Sequence, residues 1–283
     1  MVTSLKQQIS RKAKQAGAGL VGFASVDRWE EYRETQEAFF PHRIYPFART
    51  VIVLAVPIMI PMLDTTPSIV YSELYNTTNR LLDEAAYKLA AFINDKGHRA
   101  AFFPRDAYGD ISILIRQPEA AFSHVLAAKY AGLGTLGYNH TLLTKEFGPR
   151  VRLVSVFTDA ELPPDAMQEK ELCQKCELCR KCCPTSAFTS TEHLIADMDK
   201  HRCASYHKLL KEHYRYPCGV CIKVCPAGND RKLYGMDTKK YLHEREALQQ
   251  NPEAAEYADW THLRNFGALP LNDSGSLKDS LST

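Results

Sequence analysis

The sequence predicts an α+β fold, a mixed core of strands and helices followed by a small module built around cysteines. Three observations predict it. Apolar, β-branched runs alternate with helical patterns up to about residue 159, no cysteine precedes Cys173, and all nine cysteines lie between Cys173 and Cys225.

Along the chain, GLVGFAS (19–25) and RTVIVLAVP (49–57) are apolar runs bounded by Gly, Pro and charge, as buried strands are. Between Tyr71 and Gly97, the residues Leu74, Leu82, Ala85, Leu89 and Ile93 recur at three- and four-residue steps, with Thr78 filling the one gap. That spacing predicts a helix, and Gly97 is its natural stop because glycine takes a left-handed conformation freely. RAAFF (99–103) reads as a short strand, EAAFSHVLAAKY (119–130) as a second helix and RVRLVSVFTD (150–159) as another strand. TKKYLHEREALQQ reads as a late helix and NDSGSLKDSLST as a frayed polar tail. Periodicity leaves the strand order open.

A chain of 283 residues can bury a sizeable core, and 45% hydrophobic with 24% charged residues is ordinary for a soluble protein. A formal charge of +2 gives no strong field for nucleic acid or anionic membrane. The N-terminus MVTSLKQQISRKAKQAG has no apolar signal core, and TVIVLAVPIMIPML is broken by prolines and too short to span a bilayer. The expected location is cytoplasmic.

The cysteine spacing points to a metal. A disulfide framework suits a small secreted domain, not a long chain with an odd cysteine count. Cys173, Cys176 and Cys179 are each two residues apart, then three residues precede Cys183 and Pro184. This is the bacterial ferredoxin run, in which three cysteines hold one [4Fe–4S] cube and the fourth crosses to a second. The second set is Cys203, Cys218, Cys221 and Cys225, again followed by proline. The reading therefore pairs Cys173, Cys176, Cys179 and Cys225 around one cluster, and Cys183, Cys203, Cys218 and Cys221 around the other. Cys182 is the spare, since only Cys183 has the required spacing to its proline. Zinc is the weaker alternative, because paired CxxC units build tetrahedral zinc sites without this asymmetric spacing.

Residues 127–165 hold the remaining signal. A helix runs into a turn with Gly132, Gly134 and Gly137, where main chain can approach a ligand closely, although a helix cap and tight hairpin would use the same glycines. The glycines follow a helix and do not open one, so no dinucleotide fingerprint is present.

The AGLG-x-x-G turn, the following TLL, the GPRVRL strand, FTD, LPPD and the two cysteine sets, in this order, resemble the cobalamin-dependent iron–sulfur reductases. That superfamily includes epoxyqueuosine reductase and the reductive dehalogenases, and the resemblance covers about residues 10–230. It implies a nitroreductase-like core over 1–165 that holds a base-off corrinoid, and a ferredoxin-like double-cluster module over 166–230. A helical extension and tail, 231–283, follow. It also implies electrons passing from an external low-potential donor of ferredoxin or flavodoxin type through both clusters to cobalt, with reduction of a small-molecule substrate. The turn residues Gly132, Leu133, Gly134, Gly137, Tyr138, Asn139, His140 and Thr141 are then the candidate corrinoid contacts, with Arg150 as a further cofactor clamp.

The departures also inform. The twin-arginine export signal of dehalogenases is missing from this N-terminus, and only about 57 residues follow Pro226, whereas epoxyqueuosine reductase carries a helical-repeat extension for tRNA. A short form not acting on tRNA is the expectation. Where that family places an acid in a DxxP stretch, this chain has Pro118 with Glu119 beside it. The candidate catalytic residues are Glu119 and Tyr108 as proton donors and Arg152 to polarise a leaving group. Each has an ordinary reading as well: a helix first turn for Glu119, a turn anchor for Tyr108, a surface ion pair for either strand arginine. His193, His201, His207 and His213 flank the cluster module, where a sulfur hydrogen bond or simple packing is available to them. Two other functions stay open, a ferredoxin-like electron carrier without corrinoid and a flavin-containing reductase.

Overall fold

The computed structural model describes residues 4–106, 108–234, 237–251 and 254–271. Strands β1 (Leu20–Ser25), β2 (Thr50–Pro57), β3 (Ala100–Phe103) and β6 (Val151–Thr158) form an antiparallel sheet in the order β1-β2-β6-β3. A separate two-stranded ribbon joins β4 (Thr135–Leu136) to β5 (Leu142–Leu143). The four sheet strands are those the apolar runs predict, and the register supplies the order that periodicity leaves open.

Side chains alternate across a strand, so an uninterrupted apolar run requires cover on both faces. Ile52, Leu54 and Val56 of β2 pack with helices α1 (Leu5–Gln15) and α2 (Ile69–Asp95), while Val51, Val53 and Ala55 pack with Trp29, Phe122 and Tyr130 on the other face. Leu82, Ala85, Leu89 and Ile93 of α2 are fully buried, and each large aliphatic among them contributes about 1.5–3 kcal/mol through the water it excludes. The Ser68 hydroxyl caps α2 by accepting from the Tyr71 amide, and Gly97 closes it at φ +84°.

The helix expected over 119–130 is shorter. Helix α3 (Ile111–Arg116) precedes it, and α4 begins only at His124 and ends at Tyr130, capped by the Ser123 hydroxyl at 3.1 Å from the Leu126 amide. Phe122 explains the difference: it is drawn into the core against Phe157, ring centroids 4.9 Å apart, so the preceding residues run as coil. Burial of one aromatic outweighs the modest helix preference of two alanines.

Beyond Asp165 the chain folds around a further apolar cluster that contains Tyr138, Leu178, Phe188, Val224 and Tyr241 with several of the cysteines. Helices α5 (Lys200–Glu212) and α6 (Lys240–Gln250) frame it, α6 being the late helix the sequence predicts. The polar tail lies outside the described residues. Among the described residues no helix is long and apolar enough to cross a membrane.

Arg150 joins the sheet to this region. Its side chain is fully buried just before β6, donating to both Asp230 carboxylate oxygens at 2.6 Å and to the carbonyls of Ile222, Cys225 and Ala227. Removing one partner of a buried ion pair leaves the other uncompensated, which typically costs about 3–5 kcal/mol. Arg150→Met is therefore expected to lower unfolding free energy by about that amount in urea titrations. A loss under about 1 kcal/mol would show that the joint is dispensable.

Candidate functional site

A cavity of about 880 Å³ lies between the sheet and the cysteine segments. Its walls come from three places. The sheet side supplies Ile58, Tyr71, Tyr75, Val151 and Arg152; the stretch from β3 into α4 supplies Asp106, Tyr108, Glu119 and His124; the cysteine side supplies Cys183, Cys203, Cys218 and Cys221. These four are one of the two sets that the spacing predicts. A second cavity of about 30 Å³ is bounded by Cys173, Cys176, Cys179 and Cys225, the other predicted set.

Most of these sulfurs feel members of their own set, although Cys221 also feels Cys179. Burial pushes the Cys179 thiol up to about 12 and the Cys225 thiol up to about 11, and both are raised further by charge on members of the same set. Burial likewise raises Cys218 to about 12 and Cys203 to about 11, with Cys183 a charged neighbour of both. Thiolates this disfavoured need a positive partner, which an iron cluster supplies, so the donor chemistry fits one. Among the described residues no three His, Cys, Asp or Glu side chains converge as a single-ion site. Cys182 is buried and borders neither cavity.

Two sulfurs already accept backbone N–H bonds: Cys173 from Tyr138 and Cys183 from Ala187, both at 3.4 Å. Tyr138 thus serves the first cysteine set, and its hydroxyl donates to the Thr189 carbonyl at 2.9 Å. Asn139 and Thr141 do line the large cavity; the Asn139 amide donates to the Cys221 carbonyl at 3.2 Å and its oxygen accepts from the Thr141 hydroxyl at 2.8 Å. His140 sits in a left-handed conformation, φ +63°, bonded through Nε2 to the Ala196 carbonyl at 2.6 Å, and is a structural tie away from the cavity wall.

The glycine turn is packed against neighbouring chain segments. Gly132, Leu133, Gly134 and Gly137 do not line the large cavity. A side chain at Gly134 would collide with the Leu143 carbonyl, and one at Gly132 with the Ala166 carbonyl, so these glycines let chain segments meet. Gly137 borders the small cavity, against Leu143 and Asn139. Arg150 is likewise absent from the cavity wall, its guanidinium consumed by the joint to Asp230.

Arg152, two residues further along the strand, does reach the cavity. It donates to Asn79 and to the Tyr75 hydroxyl at 3.1 Å and to Asp106 at 3.2 Å, and stacks over the Tyr75 ring. The Tyr75 hydroxyl in turn donates to Asp106 at 3.1 Å. Burial opposes the charge on Arg152, but Tyr75 and Asp106 outweigh it and its pKa is raised. Tyr108 shares a hydroxyl–hydroxyl bond of 3.1 Å with Tyr216; burial raises its pKa, while Arg152 acts in the opposite sense. Glu119 lies exposed on the cavity rim in coil, not in a helix first turn.

Sequence reasoning missed Asp106, Tyr75, Tyr216 and His124, and it left His207 among four flanking histidines. Spacing carried some signal: Tyr71 and Tyr75 are four apart on α2, and Cys203 and His207 four apart on α5, so each pair shares a face. His124 binds the Pro104 carbonyl through Nε2 at 3.1 Å and the Ser155 hydroxyl through Nδ1 at 2.9 Å. A carbonyl only accepts, so Nε2 carries the proton and Nδ1 accepts in the neutral ring. Burial lowers its pKa to about 4.

The geometry thus defines a mixed α/β protein with a ligand-sized cavity and two four-cysteine sets. No protein-family model matches the chain. It is 27% identical to the tetrachloroethene reductive dehalogenase of Dehalobacter restrictus over 269 residues, covering 86% of this chain and 42% of that one. It is 26% identical to the epoxyqueuosine reductase of Bacillus cereus over 278 residues, covering 88% and 69%. A solved catabolic reductive dehalogenase has the same fold, with a TM-score of 0.64 at 19% identity, covering 91% of this chain and 37% of the other. The chain spans less than half the length of the dehalogenase relatives it matches over most of its own. The chain is thus similar over most of its length both to reductive dehalogenases and to epoxyqueuosine reductases.

Two outcomes follow from this geometry. Cys183→Ser is expected to lose or convert one cluster after anaerobic reconstitution, while Cys182→Ser retains about eight irons per chain; the reverse result in iron analysis would reassign the ligand. Because the folded pKa of His124 lies below the ordinary histidine value of 6.5, the unfolded chain takes up its proton first. Its contribution to stability is present above pH 6.5 and is lost as the pH falls toward 4. Denaturation curves for His124→Gln should show a weaker acid dependence over that range than the wild type.

Proposed function

We propose that the protein is an iron–sulfur, corrinoid-dependent reductase that delivers electrons to a small-molecule substrate in the large cavity. The single observation that carries this reading is that cavity's composition, with four cysteines on one wall and the Tyr75, Asp106, Tyr108 and Arg152 network on the others. Kinship with enzymes named as reductases supports it. In this reading the chain divides into a corrinoid-binding core (1–165), a double-cluster module (166–230) and a C-terminal extension.

A cavity of about 880 Å³ is at the upper end of the range for bound ligands, room enough for a large cofactor face and a small substrate. Neutral hydrogen-bonding groups at Asn139 and Thr141 suit an amide-rimmed ligand. Cys183, Cys203, Cys218 and Cys221 would hold the cluster nearer the cavity, and Cys173, Cys176, Cys179 and Cys225 the outer one, where Cys176 is exposed. When bound, the corrinoid supplies the low-potential metal chemistry.

The chain's own residues supply placement and a proton. Tyr108 holds its hydroxyl proton at the cavity wall, bonded to Tyr216, with the Arg152 cation near enough to ease its loss. Arg152 is held in place by Asn79, Tyr75 and Asp106 and cannot swing into solvent without breaking three contacts. Glu119, on the exposed rim, is the alternative donor. The sequence argued against tRNA from the length of the chain after Pro226; kinship with an epoxyqueuosine reductase keeps tRNA among the substrates to be tried.

The test is anaerobic reconstitution, followed by separate titrations with cobalamin and flavin and by reduction with a low-potential ferredoxin or flavodoxin. Cobalamin should bind with a base-off spectrum, and Tyr108→Phe should leave binding intact while slowing turnover by about 10²-fold or more. Flavin binding in place of cobalamin, or no cofactor binding by cluster-replete protein, would remove this function and leave a flavin reductase or an electron carrier.

A further inference from the structure

Tyr206 and His207 are adjacent on α5, and both line the large cavity. They follow Cys203 by three and four residues, a spacing that puts them on the helix face that carries this cysteine to the cavity wall. Among the described residues, no group hydrogen-bonds to the Tyr206 hydroxyl or to either His207 nitrogen, and these atoms are not sealed by packing as Tyr130 Oη is. Other polar side chains of the wall are spent. His124 has both nitrogens bonded, and Asn139 meets the Cys221 carbonyl and the Thr141 hydroxyl. Of the four histidines that flank the cysteine module only His207 lines the cavity; His201 and His213 spend Nδ1 on the Ile115 and Leu209 carbonyls.

Packing, not a hydrogen bond, fixes the His207 ring. It meets the Tyr216 ring edge to face with centroids 5.4 Å apart, and Tyr216 is itself held by the Tyr75 ring and the Tyr108 hydroxyl. Burial lowers the His207 pKa to about 4, so at neutral pH the imidazole is uncharged, with one N–H to donate and one nitrogen to accept. Polar groups left open in such a cavity cost free energy until a ligand or water meets them. The pair offers a phenolic O–H to donate and an imidazole nitrogen to accept. A primary carboxamide answers both, its carbonyl accepting and its NH2 donating. A carboxylate would find no free cation on this wall, since Arg152 is already met by Asp106.

We propose that Tyr206 and His207 form a carboxamide-binding subsite of the large cavity, and that the amide it takes belongs to the rim of a corrinoid. This rests on the corrinoid reading given above.

The test uses the full chain, reconstituted anaerobically, as wild type, Tyr206→Phe, His207→Phe and His207→Gln. Iron content is measured first and should be alike throughout, since no variant alters a cysteine. Two probes are then titrated: cobinamide, which keeps its peripheral amides, and the heptamethyl ester of cobyrinic acid, in which esters replace them. For cobinamide, each Phe variant should weaken binding by about 3- to 10-fold, the worth of one neutral hydrogen bond. His207→Gln should stay within about twofold of wild type, because glutamine keeps a donor and an acceptor. For the ester, which has no amide N–H to donate, His207→Phe should change affinity by less than about twofold, while Tyr206→Phe still weakens it. A cluster-replete wild type that binds neither cobinamide nor cobalamin removes the corrinoid reading and this inference with it. Cobinamide binding that either Phe variant leaves unchanged, or a His207→Phe loss that the ester shares in full, overturns the inference alone, the second being what a packing defect gives. Should His207→Phe fail to assemble, Tyr206→Phe must weaken cobinamide binding while His207→Gln must not; any other pair of results overturns it.

Discussion

The arrangement depends on one buried guanidinium. Arg150 precedes β6, which pairs with both β2 and β3, and it grips the segment 222–230 through Asp230 and three carbonyls. Burying a guanidinium is costly unless its donors are met, and arginine's planar fork can meet several acceptors at once. That requirement fixes where the last cysteines stand relative to the sheet. Two glycines make the close approach possible: Gly148 (φ +52°) and Gly228 (φ +110°) pass each other where any side chain would collide with backbone.

The first cysteine segment is tied by different means. Tyr138 and His140, at the tip of the β4–β5 ribbon, reach the Thr189 and Ala196 carbonyls, and the Tyr138 amide donates to the Cys173 sulfur. The cysteine segments are thus anchored at two separate points, and the large cavity lies between the sheet and these segments. Strand geometry then divides two arginines between two tasks. Arg150 supplies the joint, and Arg152, two residues on, supplies the wall.

The wall keeps its formal charges close to balance. Arg152 is answered by Asp106, Lys129 by Glu34 near the rim, and Arg105 by Asp83. His124 is held neutral by burial, which outweighs the opposing pull of its bond to the Pro104 carbonyl. Such a cavity orients a ligand mainly through fixed hydrogen-bonding groups, which cost no reorganisation when charge develops.

The sequence by itself determined the four sheet strands and the long helix α2 with its glycine stop, and it divided eight cysteines into the two groups that border the two cavities. These signals are local: strand and helix patterns repeat within a few residues, and cysteine spacing reflects how a short loop wraps around a cluster. It misjudged the start of α4, because the pull of Phe122 into the core comes from Phe157, which is distant in the chain. It also read the glycine turn and Arg150 as ligand contacts; in the fold Gly132 and Gly134 lie against the Ala166 and Leu143 carbonyls, and Arg150 binds Asp230. Glycine permits close approach without saying to what, and an arginine's pattern does not reveal its acceptors. Asp106, Tyr75, Tyr216 and Arg152 come from four separate stretches of chain, and only tertiary folding brings them to one wall, because their hydrogen bonds span 31 to 108 residues.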